Sequence, residues 1–194
     1  GVERVRIAGD PERETKAKRL VEGIVVDQTT WNDIIAAGAK LGLERAGLGT
    51  VVWQVELNPY AREILAKRWP DAQRFADIRE VGAHNLPPAD VLCGGFPCTD
   101  LSYAGRGAGM DGEHSGLWSE YVRLIRELRP ELVVVENVPA LLRRGLDRVL
   151  GDLAEAGYDA EWDSLSAADV GAPHLRERVF LWAWPTGVRD PRGR

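Results

Sequence analysis

The chain has 194 residues, 44% hydrophobic and 28% charged, with a formal net charge of −5. That length and apolar content suit one ordinary domain with a real core. No apolar run nears the roughly 20 residues that span a bilayer, and the charged N-terminus lacks the apolar centre of a secretory signal, so a cytoplasmic location is expected. The negative balance argues mildly against a broad basic face for nucleic acid and leaves local basic patches open. His84, His114 and His174 show no paired ligand spacing, so no metal site is expected. Cys93 and Cys98 flank a Gly-Gly-Phe-Pro turn. They are close enough to pair, but a lone short-loop disulfide is out of place in a cytosolic protein, so one of these thiols is a candidate nucleophile.

In chain order, Asp10-Pro11 reads as the cap and first turn of a charged helix through about Val21, ended by Gly23. Gly23–Val26 is a short apolar strand, Trp31–Ala46 a helix capped by Thr30, Thr50–Glu56 a strand and Pro59–Arg68 a helix. Asp90–Cys93 is a buried strand and Ser119–Leu128 an amphipathic helix, with a glycine-rich loop at Ser102–Gly116 between them. Leu132–Glu136 lacks polar alternation, as in a strand covered on both faces. Leu146–Ala156 is a helix ended by Gly157, and Val179–Trp184 a last strand. The tryptophans, among them Trp53, Trp69, Trp162 and Trp182, are assigned to core positions. The alternation predicts an α/β, doubly wound, Rossmann-like fold with a largely parallel sheet. Residues 1–22 form a charged helical extension, 23–184 the catalytic domain and 185–194 a tail.

Open α/β sheets bind ligands outside the carboxyl ends of their strands. Glu56 ends the second strand, Asp77 follows Arg74-Phe75, Cys98 lies in the loop after Asp90–Cys93, and Glu136-Asn137 ends the central run, so all fall on one rim. An acid at the end of the second strand can accept hydrogen bonds from both ribose hydroxyls of an adenosine-type cofactor. Glu56 stands 18 residues beyond Gly38, near the spacing of about 20 for that role.

The run Asp90 to Trp118, DVLCGGFPCTDLSYAGRGAGMDGEHSGLW, resembles the Pro-Cys loop of the DNA (cytosine-5)-methyltransferases. Glu136-Asn137-Val138 resembles that family's Glu-Asn-Val motif, Gly171 to Phe180 (GAPHLRERVF) its Gln-x-Arg-x-Arg motif, and Leu41 to Gly47 the helix after its first glycine loop. The likeness runs from about residue 33 to 184 in the family's order. It implies transfer of a methyl group from S-adenosyl-L-methionine to carbon 5 of a cytosine flipped out of DNA. Cys98 would attack carbon 6, Glu136 would serve ring nitrogen N3, Arg178 would donate to the base carbonyl, and Arg176 would support it or hold a phosphate. For the cofactor it implies Gly38, Glu56 at the ribose, Asp77 at the adenine amino group, Pro97 and Leu117.

The sequence departs from that family in three places. Trp31 to Lys40 (WNDIIAAGAK) keeps only Gly38 of the glycine loop, and His174 stands where glutamine is usual. No target-recognition region follows the arginine motif, which predicts either a second chain supplying it or minimal DNA recognition. Two alternatives stay open: a non-catalytic relative that binds DNA or complements a partner methyltransferase, and an RNA cytosine-5 methyltransferase. The sequence leaves open whether the role lies in restriction-modification or in a phage's defence against it.

Overall fold

A computed structural model describes residues 42–47, 49–97 and 116–188. All of them belong to the unit Ile35–Arg194. The expected N-terminal helix, the strand Gly23–Val26, residues 31–41 of the following helix with Gly38, Cys98, and most of the glycine-rich loop lie outside the described residues. Residues 42–45 are helical.

Strand β1 (Trp53–Val55) leads into helix α1 (Pro59–Arg68). Asn58 caps α1, its side chain accepting from the backbone N–H groups of Tyr60 and Ala61, and Pro59 sits where a missing N–H does no harm. Lys67 and Arg68 complement the helix C-terminus, and Ala61 and Leu65 form the buried side. Strand β2 (Gln73–Phe75) returns parallel to β1, with Val55 opposite Phe75. A short 3-10 helix (Ile78–Glu80) follows.

Strand β3 (Val91–Gly95) pairs in parallel with β4 (Leu132–Asn137), and α2 (Gly116–Leu128) lies between them in sequence. Helix α2 begins at Gly116, three residues before the expected start at Ser119. Helices α3 (Leu141–Arg144) and α4 (Leu146–Glu155) come next. Strand β5 (Tyr158–Ser166) then pairs antiparallel with β6 (Glu177–Pro185), which also runs antiparallel to β4. The four-stranded sheet has the order β3-β4-β6-β5. The α/β, Rossmann-like class expected from the sequence is present. Its parallel ladders are β1–β2 and β3–β4, while β5 and β6 form an antiparallel hairpin that the sequence did not announce.

The register puts Leu92, Val133, Val135, Val179, Leu181 and Ala183 on one face of this sheet. They share one core cluster with Trp118, Tyr121, Val122 and Ile125 of α2 and Val149 and Leu153 of α4. Ile125, Val149, Leu153 and Leu181 are all 0% exposed. Trp53, Val55 and Phe75 pack against the same cluster, and the Trp53 indole donates to the Pro87 carbonyl at 3.0 Å. That bond ties the two-stranded sheet to the chain entering β3. The tryptophans divide: Trp69, Trp118 and Trp184 are buried, Trp53 and Trp182 are half-buried, and Trp162 is 45% exposed, contrary to its expected core place. No helix of the described residues is long and apolar enough to cross a membrane.

Candidate active site

The carboxyl ends of β3 and β4 meet because two glycines allow it. A Cβ on Gly95 would lie 2.9 Å from the Glu136 carbonyl oxygen, and one on Gly94 would lie 3.0 Å from the Tyr121 ring. A side chain at either position would push β3 off β4 or off α2. Tyr121 fills the space it is given and donates its hydroxyl toward the carbonyls of Leu92 and Val134 at 3.3 and 3.4 Å. Cys93 sits half-buried on β3 and remains a thiol.

Beyond Gly95, the chain toward Pro97 is anchored from β4. The buried Asn137 amide donates to the Phe96 carbonyl at 2.9 Å and accepts from the Val138 N–H at 2.8 Å. The Phe96 ring stacks at a tilt on Trp118, centroids 4.8 Å apart, and the Trp118 indole donates to Asp152 of α4 at 2.7 Å. The approach to position 98 thus has a side-chain tie on one side and an aromatic support on the other. The Glu-Asn-Val motif names Asn137 but not this job, for which the only sequence signal is an amide ending an apolar strand just before the chain turns.

Glu136 faces across the sheet toward β6. Phe180 lies directly opposite it, and Arg178 is the diagonal neighbour on the same face. The Arg178 Nε stands 2.8 Å from Glu136 Oε1, with the two side chains only 11% and 15% exposed. The pair is an ion pair at hydrogen-bonding distance. Burial raises the Glu136 pKa above 4.5; the Arg178 charge pulls the other way and does not cancel it. The result is a carboxyl that takes a proton more readily than an ordinary one, set beside the Arg178 guanidinium. Arg178 lies within β6, not ahead of it as expected. Arg176 precedes β6, its carbonyl accepting from the Ala167 N–H at 2.8 Å and its N–H meeting His174 Nδ1 at 3.4 Å.

On the other side of the rim, Glu56 and Asp77 follow the neighbouring parallel strands β1 and β2. One Glu56 oxygen accepts from the Asn58 N–H at 2.8 Å, and nothing among the described residues hydrogen-bonds to the other. Asp77 caps the Ile78–Glu80 turn and grips Arg79 through both oxygens, the shortest contact 2.6 Å. The Arg79 side chain, then its backbone N–H, holds the Asp77 carboxyl below its usual range. Pro97 is exposed, and Leu117, in the first turn of α2, is 43% exposed. Gly38 and Cys98 fall outside the described residues. No group of three or more metal-ligating side chains occurs among the described residues.

The fold is that of known methyltransferases. It matches the S. pombe Dnmt2 methyltransferase with a TM-score of 0.66 at 19% identity, over 79% of this chain and 49% of that one. It also matches a Spodoptera frugiperda DNMT2 mutant at 0.59 and 17%, over 82% and 48%. In sequence, residues 35–188 match the C-5 cytosine-specific DNA methylase family, and the chain belongs to that family. The type II methyltransferase M2.BsuMI of Bacillus subtilis (strain 168) is 36% identical over 154 residues, which are 75% of this chain and 39% of the relative. M.CviJI of Paramecium bursaria Chlorella virus IL3A is 36% identical over 149 residues, 76% of this chain and 40% of the relative. The chain therefore spans about two fifths of the length of these relatives.

Proposed function

We propose that this chain carries the catalytic part of a DNA (cytosine-5)-methyltransferase, with Cys98 as nucleophile, Glu136 as proton donor to ring nitrogen N3, and Arg178 and Arg176 on the base and its phosphate. The observation that carries the reading is the half-buried Glu136–Arg178 pair at 2.8 Å, which joins the end of β4 to β6. Gly95, opposite Glu136 in β3, leads directly toward Pro97 and Cys98. The chemistry asks for that combination. Carbon 5 of cytosine is a poor nucleophile. When the Cys98 thiolate forms a bond to carbon 6, the displaced electron pair runs into the ring, and a proton delivered from Glu136 to N3 takes up the charge. Carbon 5 then has enamine character and can attack an electrophilic methyl. A base removes the carbon 5 proton, the carbon–sulfur bond breaks, and N3 returns its proton. The target must leave the base stack for Cys98 to reach carbon 6.

The rim residues fit S-adenosyl-L-methionine. Glu56 keeps an oxygen for ribose hydroxyls, Asp77 a second carboxylate for the adenine amino group, and Pro97 and Leu117 exposed apolar surface for the ring, with Gly38 completing the set. When bound, that cofactor supplies a methyl group on a sulfonium. A second chain, one of the two alternatives the sequence raises beside minimal DNA recognition, would supply target recognition, and a restriction-modification role in the cytoplasm belongs to the same proposal.

The test is a covalent trap. A cytosine with fluorine at carbon 5 cannot lose a proton there, so the Cys98 adduct persists. With S-adenosyl-L-methionine and 5-fluorocytosine DNA, the chain should form a denaturation-resistant complex. Cys98→Ser should abolish it, a serine hydroxyl being barely ionised at neutral pH, while Cys93→Ser should leave it. A trap that survives Cys98→Ser refutes the assignment. Trapping on RNA alone favours the RNA reading, a requirement for an added polypeptide favours a split enzyme, and no trapping with cofactor and partner both supplied favours a non-catalytic relative.

A further inference from the structure

Arg123, on α2, is the most heavily bonded cation of the described residues, and the proposed chemistry gives it nothing to do. Its Nη2 donates to the carbonyls of Ile78 and Val81 at 2.9 and 2.8 Å. Nε and Nη1 meet Glu120 at 2.6 Å and Glu127 at 2.9 Å on its own helix. Glu127 also accepts from the Ala83 N–H at 3.1 Å. A Cβ on Gly82 would collide with Glu127 Oε2. The helix thus holds the turn 78–83 through one guanidinium fork and one carboxylate. That turn begins at Asp77, and α2 begins one residue before Leu117.

We propose that Arg123 is a positioning residue for the cofactor pocket: it sets the distance between Asp77 and the start of α2, and so the register in which the Asp77 carboxylate meets the adenine amino group. This rests on the reading above that Asp77 takes that amino group. The geometry requires a fork. The guanidinium bridges two main-chain carbonyls of the turn while two acids fix its plane, and a lysine ammonium is a single point that cannot span both sides at once. Asp77 takes its orientation from the turn itself, its Oδ1 accepting from the Arg79 backbone N–H at 2.9 Å, while the Arg79 side chain that pairs with it is 70% exposed. A carboxylate whose own ion pair lies at the surface is held in place by the backbone beneath it, and that backbone is what Arg123 grips.

The experiment measures dissociation constants of the 194-residue chain for S-adenosyl-L-homocysteine and for S-inosyl-L-homocysteine, which carries a carbonyl in place of the adenine amino group. Wild type should prefer the adenosine compound by about tenfold to a hundredfold, as expected for one hydrogen bond to a charged group. Asp77→Ala should erase that preference. Arg123→Lys should keep the helix charges and the fold, shown by a far-UV spectrum and a melting curve close to wild type, yet reduce the ratio by at least about threefold. In the Asp77→Ala background it should change the ratio no further. If Arg123→Lys fails to fold, Glu127→Gln, which weakens the same brace with an isosteric neutral group, should lower the ratio in the same direction. A folded variant that keeps the wild-type ratio overturns the brace. Equal binding of both compounds by wild type overturns the Asp77 reading and the brace with it.

Discussion

Glu136 is pulled two ways. Its burial disfavours the charge that Arg178, 2.8 Å away, favours, and burial wins, so the carboxyl is protonated at higher pH than an ordinary glutamate. Under the proposed chemistry only the protonated form donates to N3, so kcat/KM should fall as pH rises through the raised pKa. Arg178→Gln removes the cation that lowers it, and the descending limb should move to higher pH, whatever the drop in absolute rate. A pH profile of methyl transfer reads this directly; a limb that stays or moves to lower pH would refute the role of the pair. Stability has a linked sign. A carboxyl with a folded pKa above its unfolded one contributes stability that is complete below the unfolded value and is lost as pH rises through the folded value. Glu136→Gln does not titrate there, so in urea unfolding it should gain on wild type as pH is raised across that window.

Between strands and loops, Asn137 holds the most exacting position. It ends β4 and binds the Phe96 carbonyl, so one side chain couples the sheet edge to the approach to Cys98. Asn137→Ala leaves a buried carbonyl and the Val138 N–H without this partner, which should lower stability by about 1–3 kcal/mol in urea unfolding. The kinetic signature separates a positioning role from a loss of fold. The kcat of methyl transfer should fall more than tenfold, as about an ångström of misplacement does, with KM for S-adenosyl-L-methionine little changed. A rise in KM at constant kcat would assign Asn137 to cofactor binding.

Across the described residues, the larger of two apolar clusters joins α2, α4, both sheets and the β5–β6 hairpin. Leu153, 0% exposed on α4, lies in this cluster. Leu153→Ala should therefore cost about 2–5 kcal/mol. The loss should register equally in tryptophan fluorescence and far-UV circular dichroism, because Trp118 and Trp53 share this cluster with α2 and α4. Two separate transitions would show that the β1–β2 sheet unfolds apart from the rest.

Local signals were enough for several elements. Pro59–Arg68 is legible to the residue because its cap, its proline and its terminal bases are all neighbours in sequence. Leu132–Glu136 and Leu146–Ala156 were legible from unbroken apolar character and helical periodicity; the strand runs one residue further, to Asn137, and the helix ends one earlier, at Glu155. The motif residues Glu136, Asn137, Arg176 and Arg178 could likewise be quoted from the sequence, and with them the family. Tertiary structure decided what pairing alone creates. Gln73–Phe75 has too little apolar pattern to declare itself and is a strand because β1 lies beside it. Tyr158–Ser166, carrying Asp159, Glu161 and Asp163, is a strand because all nine of its residues pair with β6. The antiparallel register of β4 and β6 then sets Arg178 diagonally across from Glu136, two residues 42 positions apart in the chain. No local propensity carries that distance, because it is fixed by hydrogen bonds between segments that meet only when the core closes.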